Sequence, residues 1–289
     1  MYRFLLTRRW VGGLALAVAL AVACVLLGSW QWSRFEQRSA RNDLVVANYD
    51  RDPVTLDDVL HDASRPLATA DTWTPVRVTG TYLEGGTTLV RNRPLDGRAG
   101  YQVLVPFGTQ DGPVLVVDRG WVPTGLDGGQ PDAVPKPPAG VVDVVVRLLP
   151  PEEPDERDAP PGQSFRIVPA DLAPDLAAVI GEPAAASAVV AGAYGRLVSE
   201  TGGSGSDDPA PAALPRPDLE EGPHLGYAMQ WVVFALIALG GFGVLARRTA
   251  HEDDDADLVE ADARRPVRSD EEVEDAQVDA ADRTSGRFG

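Results

Sequence analysis

His224, Tyr227 and Trp231 follow one another at intervals of three and four residues, so a helix through them carries all three on one face. An imidazole is both a proton carrier and a metal ligand. Set beside two aromatic rings, it suits a flat, apolar, metal-bearing molecule. The three stand at the mouth of a run, Gly222 to Ala246, that holds no Asp, Glu, Lys or Arg in 25 residues. About 20 such residues take a helix across a bilayer core, so His224 lies where this helix enters lipid. A plainer reading fits equally well: Tyr and Trp form interfacial belts, and a histidine at the boundary is simply hydrated.

Trp30 and Arg34 pose the same choice at the end of an earlier uncharged run, Trp10 to Ser33. Four residues apart, they share a helical face. They read as a belt tryptophan with a snorkelling arginine, or as an arginine reaching an anionic group on a bound ligand. Ala15, Ala19 and Ala23 recur every four residues in that run. Small residues at this spacing let membrane helices approach closely. A helix pair packed this way brings Arg34 near His224 at one membrane surface.

Enzymatic readings find little support. Only His61, His224 and His251 are available, and no nucleophile elbow, paired-histidine zinc helix, dinucleotide fingerprint or phosphate-binding glycine loop occurs. His61, beside Asp62, reads as a helix cap or surface residue. Cys24 is the one cysteine and lies within the first apolar run, so dithiol, copper-thiolate and cysteine-zinc chemistries are excluded. With one lysine, Lys136, and a net charge of −17, the chain lacks a nucleic-acid footprint.

These residues need elements to hold them. The two uncharged runs predict two transmembrane helices, over 10–33 and 222–246. The first run continues through Val25-Leu26-Leu27, past a loose lipoprotein-like Ala21-Val22-Ala23-Cys24, and therefore reads as a retained anchor. Arg247 and Arg248 close the second run, while Asp218, Glu220 and Glu221 precede it. Basic residues stay inside, which assigns residues 1–9 and 247–289 to the cytoplasm and 34–221 to an extracytoplasmic domain in the cell membrane. The segment after Ala250 holds 14 acidic residues and 5 arginines, a composition expected to remain disordered.

Between the anchors, alternating side chains predict strands at Val76–Tyr82, Thr87–Arg91, Tyr101–Phe107, Val114–Trp121 and Val141–Leu149. Shorter strands are expected at Phe165–Val168 and Val189–Val198. Glu84-Gly85-Gly86 and Asp111-Gly112 read as hairpin turns. Helices are expected at Asp57–Ala63, with Asp57 near its cap, and at Ala170–Ile180. Loops fill Thr124–Gly140 and Pro150–Gly162, and a flexible linker fills 201–223. The class is α+β: two transmembrane helices flanking an extracytoplasmic, mostly antiparallel β domain with short helices, its sheet open or curled into a barrel. Asp118 and Arg119 point to opposite strand faces. One of them is expected to pair across the sheet, for example with Arg91 or Arg93, and Trp121 to plug the core.

Four blocks in order resemble the Surfeit-1 (SURF1-like) family of cytochrome c oxidase assembly factors. They are Leu27-Gly28-Ser29-Trp30-Gln31-Trp32-Ser33-Arg34; Arg91-Asn92-Arg93 with Gly97, Gly100-Tyr101-Gln102-Val103 and Pro106; Val116-Val117-Asp118-Arg119-Gly120-Trp121-Val122-Pro123; and His224-Leu225-Gly226-Tyr227-Ala228-Met229-Gln230-Trp231, similar to that family's H-x-x-Y-A-x-Q-W signature. The match covers about residues 10–248. Val145 departs from the pattern where relatives often carry glycine. The resemblance implies a non-enzymatic factor in the respiratory chain that assists delivery of haem a to subunit I of an aa3-type oxidase, or its stabilisation there. The implied partners are subunit I, haem a synthesis or delivery proteins, and the lipid bilayer. It also implies that His224 is an axial ligand of the haem iron; on the same faces Tyr227 and Trp231 are then placed to flank the porphyrin, and Arg34, beside Trp30, to meet a propionate. Two further readings compete: a membrane-tethered envelope scaffold or interaction protein without haem, and a membrane enzyme of another kind.

Overall fold

A computed structural model describes residues 3–180, 189–204 and 209–263. The chain divides into two compact units, one built from the two long apolar helices and the other from Glu36–Glu221. Helix α1, Arg8–Asn48, contributes to both, and α4, His224–Ala263, is the second long helix. Each is long and apolar enough to cross a membrane. The α+β class is as expected. Helix α4 continues beyond Arg247 and Arg248 into the acidic segment as far as Ala263, a stretch whose Ala, Glu and Leu residues tolerate helix. The remainder of that segment, 264–289, lies outside the described residues.

The Glu36–Glu221 unit is a closed barrel. Its strands are β1 (Val54–Thr55), β2 (Pro75–Tyr82), β3 (Thr88–Val90), β4 (Gly100–Thr109), β5 (Val114–Pro123), β6 (Ala139–Leu149), β7 (Gln163–Ser164) and β8 (Tyr194–Ser204). The ring runs β2–β6–β8–β5–β4 and returns to β2. Four of its junctions are antiparallel, and β5–β8 is parallel. Val142, Val144, Val146 and Leu148 alternate along β6, each fully buried with Val76, Val78, Phe107 and Val117 in the barrel core. Closure depends on a glycine. Gly80 pairs with Val142 of β6 on one side and Thr109 of β4 on the other. A Cβ there would fall 2.1 Å from the Gly108 carbonyl oxygen, so any side chain would force the two strands apart.

Glu84–Gly86 does not reverse the chain. It forms a 3₁₀ turn, and β2 and β3 do not pair. Both lie along the same edge of β4: Gly80–Tyr82 against Phe107–Thr109, then Thr88–Val90 against Gln102–Leu104. They form one interrupted strand with a short excursion, which a Gly-Gly turn signal cannot distinguish from a hairpin. The short helix α2 is Leu56–Val59, one turn capped by Thr55 in a capping box with Asp58, rather than Asp57–Ala63. Phe165–Val168 is not a strand; β7 lies just before it. The last strand begins at Tyr194, and Val189 makes only an isolated bridge to Val114. Helix α3 is Pro169–Ile180. The expected linker is partly ordered. Residues 201–204 complete β8, Ala212 exchanges both backbone hydrogen bonds with Trp121, and Arg216 pairs with Asp50 at 2.7 Å.

Polar groups pin the strand ends. Arg119 meets Glu200 on β8 at 2.7 Å, and the Tyr82 hydroxyl donates to the same carboxylate at 2.8 Å. Asp118 is fully buried and accepts from Gln102 Nε2 at 3.0 Å and from the Gly120 N–H at 3.2 Å. It stands in register with Arg196 on β8. The cross-sheet pair is Arg119 with Glu200; Arg93 lies near enough to Asp118 to favour its ionised form but gives its ion pair to Glu152, and Arg91 lies over the Phe165 ring. Which arginine meets which acid depends on strand register, and the parallel β5–β8 contact brings Arg196 in. Trp121 is 5% exposed and donates through Nε1 to the Arg93 carbonyl, filling the space that Gly100 leaves.

Burial raises the Asp118 carboxyl to about 7, against the opposing pull of Arg196 and the Gly120 N–H. The unfolded chain ionises this group near pH 4. Between about pH 4 and 7 the folded protein therefore holds the extra proton, and stability falls as pH rises through that window. Asp118→Asn cannot ionise. Thermal unfolding of the full chain in detergent should show the variant gaining on wild type by on the order of 3–4 kcal/mol between pH 4.5 and 8. A stability difference that stays constant with pH would show that Asp118 is already ionised in the fold.

Candidate functional site

The helix pair is zipped by small residues. Within the apolar stretch of α1 the buried positions are Ala17, Ala21, Cys24 and Gly28, and along the described part of α4 they are Ala228, Ala235, Ala246 and Ala250. Ala21, Cys24 and Ala235 form a cluster with Trp231 packed against it. A Cβ on Gly28 would sit 3.4 Å from Trp231 Cβ and 3.6 Å from the Ala228 carbonyl oxygen. That is ordinary contact, so the glycine lies in the packed seam. At the other end Gly13 faces Phe242, whose ring meets Trp10 edge-on at 5.7 Å.

The small-residue principle was right, but its phase was not. Ala15, Ala19 and Ala23 are exposed. Alanines occur at every second position from Ala15 to Ala23, which offers two helical series. Only Gly13-Ala17-Ala21-Cys24-Gly28 continues with small residues at both ends. Its mixed steps of four and three also keep it facing one partner, as a helical seam requires.

His224 closes this seam. Its ring is half-buried, and Nδ1 lies 2.9 Å from Gln31 Oε1 on α1. Gln31 comes three residues after Gly28 on the same face. An amide oxygen only accepts, so with Oε1 toward the ring a neutral His224 carries its proton on Nδ1 and leaves the Nε2 lone pair free. This is the arrangement found where a second hydrogen bond fixes the tautomer of a ligating histidine. Gln31 was missed as a site residue, although continuing the glycine series one turn would have found it.

The other expected site residues are distributed differently. Trp231 lies half-buried in the seam, with Phe234 edge-on to its ring at 5.8 Å. Tyr227 is 48% exposed, and its backbone N–H caps onto the Pro223 carbonyl. Trp30 is 52% exposed, and the Arg34 guanidinium lies over its ring at 5.8 Å. Arg34 thus pairs with its own helix, and the α1 partner of His224 is Gln31. His61 is exposed beside the α2 cap. Among the described residues no group of three or more His, Cys, Asp or Glu side chains is set to hold a bare metal ion.

The sequence model of the SURF1 family matches residues 18–236. The chain is also 31% identical over 250 residues to an uncharacterised SURF1-like protein of Mycobacterium bovis, covering 84% of this chain and 85% of that one. The same figures hold for uncharacterised SURF1-like proteins of Mycobacterium tuberculosis strains CDC 1551 and H37Rv. The family match takes in Gln31, the barrel, His224 and Trp231, and stops before the acidic segment.

The geometry predicts one His224 tautomer. In ¹⁵N spectra of histidine-labelled protein in detergent, the His224 signals should report protonated Nδ1 and bare Nε2. In Gln31→Leu they should shift toward the Nε2-protonated form that free imidazole side chains favour. Identical tautomer signals in both proteins would show that Gln31 does not orient the ring.

Proposed function

This chain belongs to the SURF1 family, and from that membership we propose that it is an assembly factor for an aa3-type cytochrome c oxidase, presenting His224 to haem a bound for subunit I. The observation that carries the reading is the His224–Gln31 pair at the end of the helix seam. A bare ion needs several protein ligands, whereas haem iron already has four porphyrin nitrogens and accepts an imidazole as axial ligand. One oriented imidazole is enough for such a cargo. Gln31 holds the ring and the lone pair points away from it. Trp231 and the exposed Tyr227 and Trp30 supply apolar, aromatic surface, and Arg34 is suited to a propionate carboxylate. A single protein ligand also favours release, because transfer then breaks only one iron–nitrogen bond on the protein side.

The chain acts here as a carrier and positioning factor and not as an enzyme. Two apolar helices are compatible with a cell-membrane anchor. The positive-inside rule, applied to Arg247 and Arg248 against Asp218, Glu220 and Glu221, supports cytoplasmic termini and a barrel on the opposite side. The partners are then subunit I and the proteins that make or deliver haem a. The alternative is a tethered scaffold that meets the oxidase without holding haem.

Deleting the gene and measuring haem a absorbance and cytochrome c oxidation in membranes tests the reading. The deletion should lose most aa3 oxidase, and wild-type protein should restore it. His224→Ala, expressed to the same level, should restore less than about a tenth, since losing the one ligating interaction is worth a factor of ten or more. Full restoration by His224→Ala leaves the scaffold reading, and normal oxidase in the deletion strain removes both.

A further inference from the structure

At the end of the helix pair opposite His224, a cleft of about 380 Å³ opens between α1 and α4. It is lined by Arg9, Trp10, Gly13, Phe242, Leu245 and Thr249. Its floor is apolar and tight. A Cβ on Gly13 would stand 3.5 Å from the Phe242 ring, which Trp10 meets edge-on. Gly13 comes one turn after Arg9 on α1, and Phe242, Leu245 and Thr249 follow at intervals of three and four on α4. Each helix therefore turns one face to the cleft.

The mouth is basic. Arg9 is exposed, and its guanidinium has no ion pair, hydrogen-bond acceptor or aromatic ring among the described residues. Arginines further along α1 are engaged: Arg34 lies over the Trp30 ring, and Arg41 donates to the Gln37 carbonyl. Arg248, three residues past Leu245, borders the same face of α4. Arg8 and Arg247 stand at the same end of the pair. All three are exposed and make no ion pair among the described residues. Thr249 is half-buried in the cleft wall. No Asp or Glu lines the cleft, in a chain with 43 acidic residues.

This layering matches a lipid headgroup. Four residues separate Gly13 from Arg9, about 6 Å of helix, and the headgroup layer adds about 5–8 Å to each side of a bilayer core. With the guanidinium at the level of the phosphates, the apolar floor lies at the level of the first acyl carbons. A guanidinium with its donor fork unfilled takes phosphate oxygens. The surplus of arginine at this end favours a lipid of net negative charge over a zwitterionic one, whose cationic group it repels.

We propose that this cleft binds one anionic phospholipid, its phosphate held by Arg9 with Arg248 and Thr249 beside it, and its glycerol end resting on Trp10 and Phe242. The site rests on the membrane reading of the two apolar helices and not on haem, so its test stands apart from that of His224.

The test is native mass spectrometry of the full chain in uncharged detergent, with phosphatidylglycerol or phosphatidylcholine of the same acyl chains added. One phosphatidylglycerol should bind saturably, and phosphatidylcholine at least about tenfold more weakly. Arg9→Gln should weaken phosphatidylglycerol about tenfold, as loss of a charge-assisted pair does. Arg9→Lys, which keeps the charge and loses the fork, should fall between the two. Arg8→Gln removes the same charge from the same helix end but not from the cleft, and should stay within about threefold of wild type. Glycerol 1-phosphate, a headgroup without acyl chains, should not displace the lipid. Equal binding of the two lipids, equal affinity in wild type and Arg9→Gln, equal losses in Arg8→Gln and Arg9→Gln, or displacement by glycerol 1-phosphate overturns the proposal.

Discussion

The helix pair works because two backbones can touch. Gly28 faces the Ala228 carbonyl and Trp231 Cβ with room for little more than a methyl group, and Ala17, Ala21 and Cys24 continue the groove. In lipid no hydrophobic force separates one apolar helix surface from another; close packing and polar contacts supply the preference. The seam therefore does two jobs with one set of residues. It pairs the helices, and at its end it places the Gln31 amide within hydrogen-bonding distance of His224. A side chain longer than a methyl group at Gly28 would press on Trp231 and the Ala228 carbonyl.

The barrel shows the complementary constraint. A ring of five strands must close without an edge, and glycines lie where its strands come closer than side chains allow, Gly100 against Val122 and Gly80 against Gly108. Gly80 sits at the β2–β4 junction that completes the ring. Once closed, the ring has a valine-rich interior and a few polar groups that set its register. Asp118 is the costliest of these, a carboxyl with no solvent that is held by Gln102 and the Gly120 N–H.

Much of this was legible beforehand. The strands at Val76–Tyr82 and Val141–Leu149 announce themselves by alternation, and the two uncharged runs by length. What eluded the reading required knowing which segments meet. Glu84-Gly85-Gly86 carries a turn signal that does not say whether the next strand folds back or continues. The alanines of α1 carry two helical phases, and only the flanking Gly13 and Gly28 select the correct one. Arg196 as the neighbour of Asp118 follows from a parallel register that no local pattern encodes. At the candidate site the helical spacing of His224 and Trp231 is plain in the sequence, whereas nothing local in the Leu27–Arg34 stretch singles out Gln31. Tyr227, Trp30 and Arg34 share the right stretch of chain, but their side chains turn outward from the seam.

The central claim is that His224 supplies an axial imidazole to haem. Its most direct measurement is resonance Raman spectroscopy of haem-loaded wild type and His224→Gly, the latter with and without free imidazole. The claim predicts histidine-type ligation in wild type, its loss in the glycine variant, and its return when imidazole fills the space left by the side chain. The same ligation in the variant without added imidazole would contradict it.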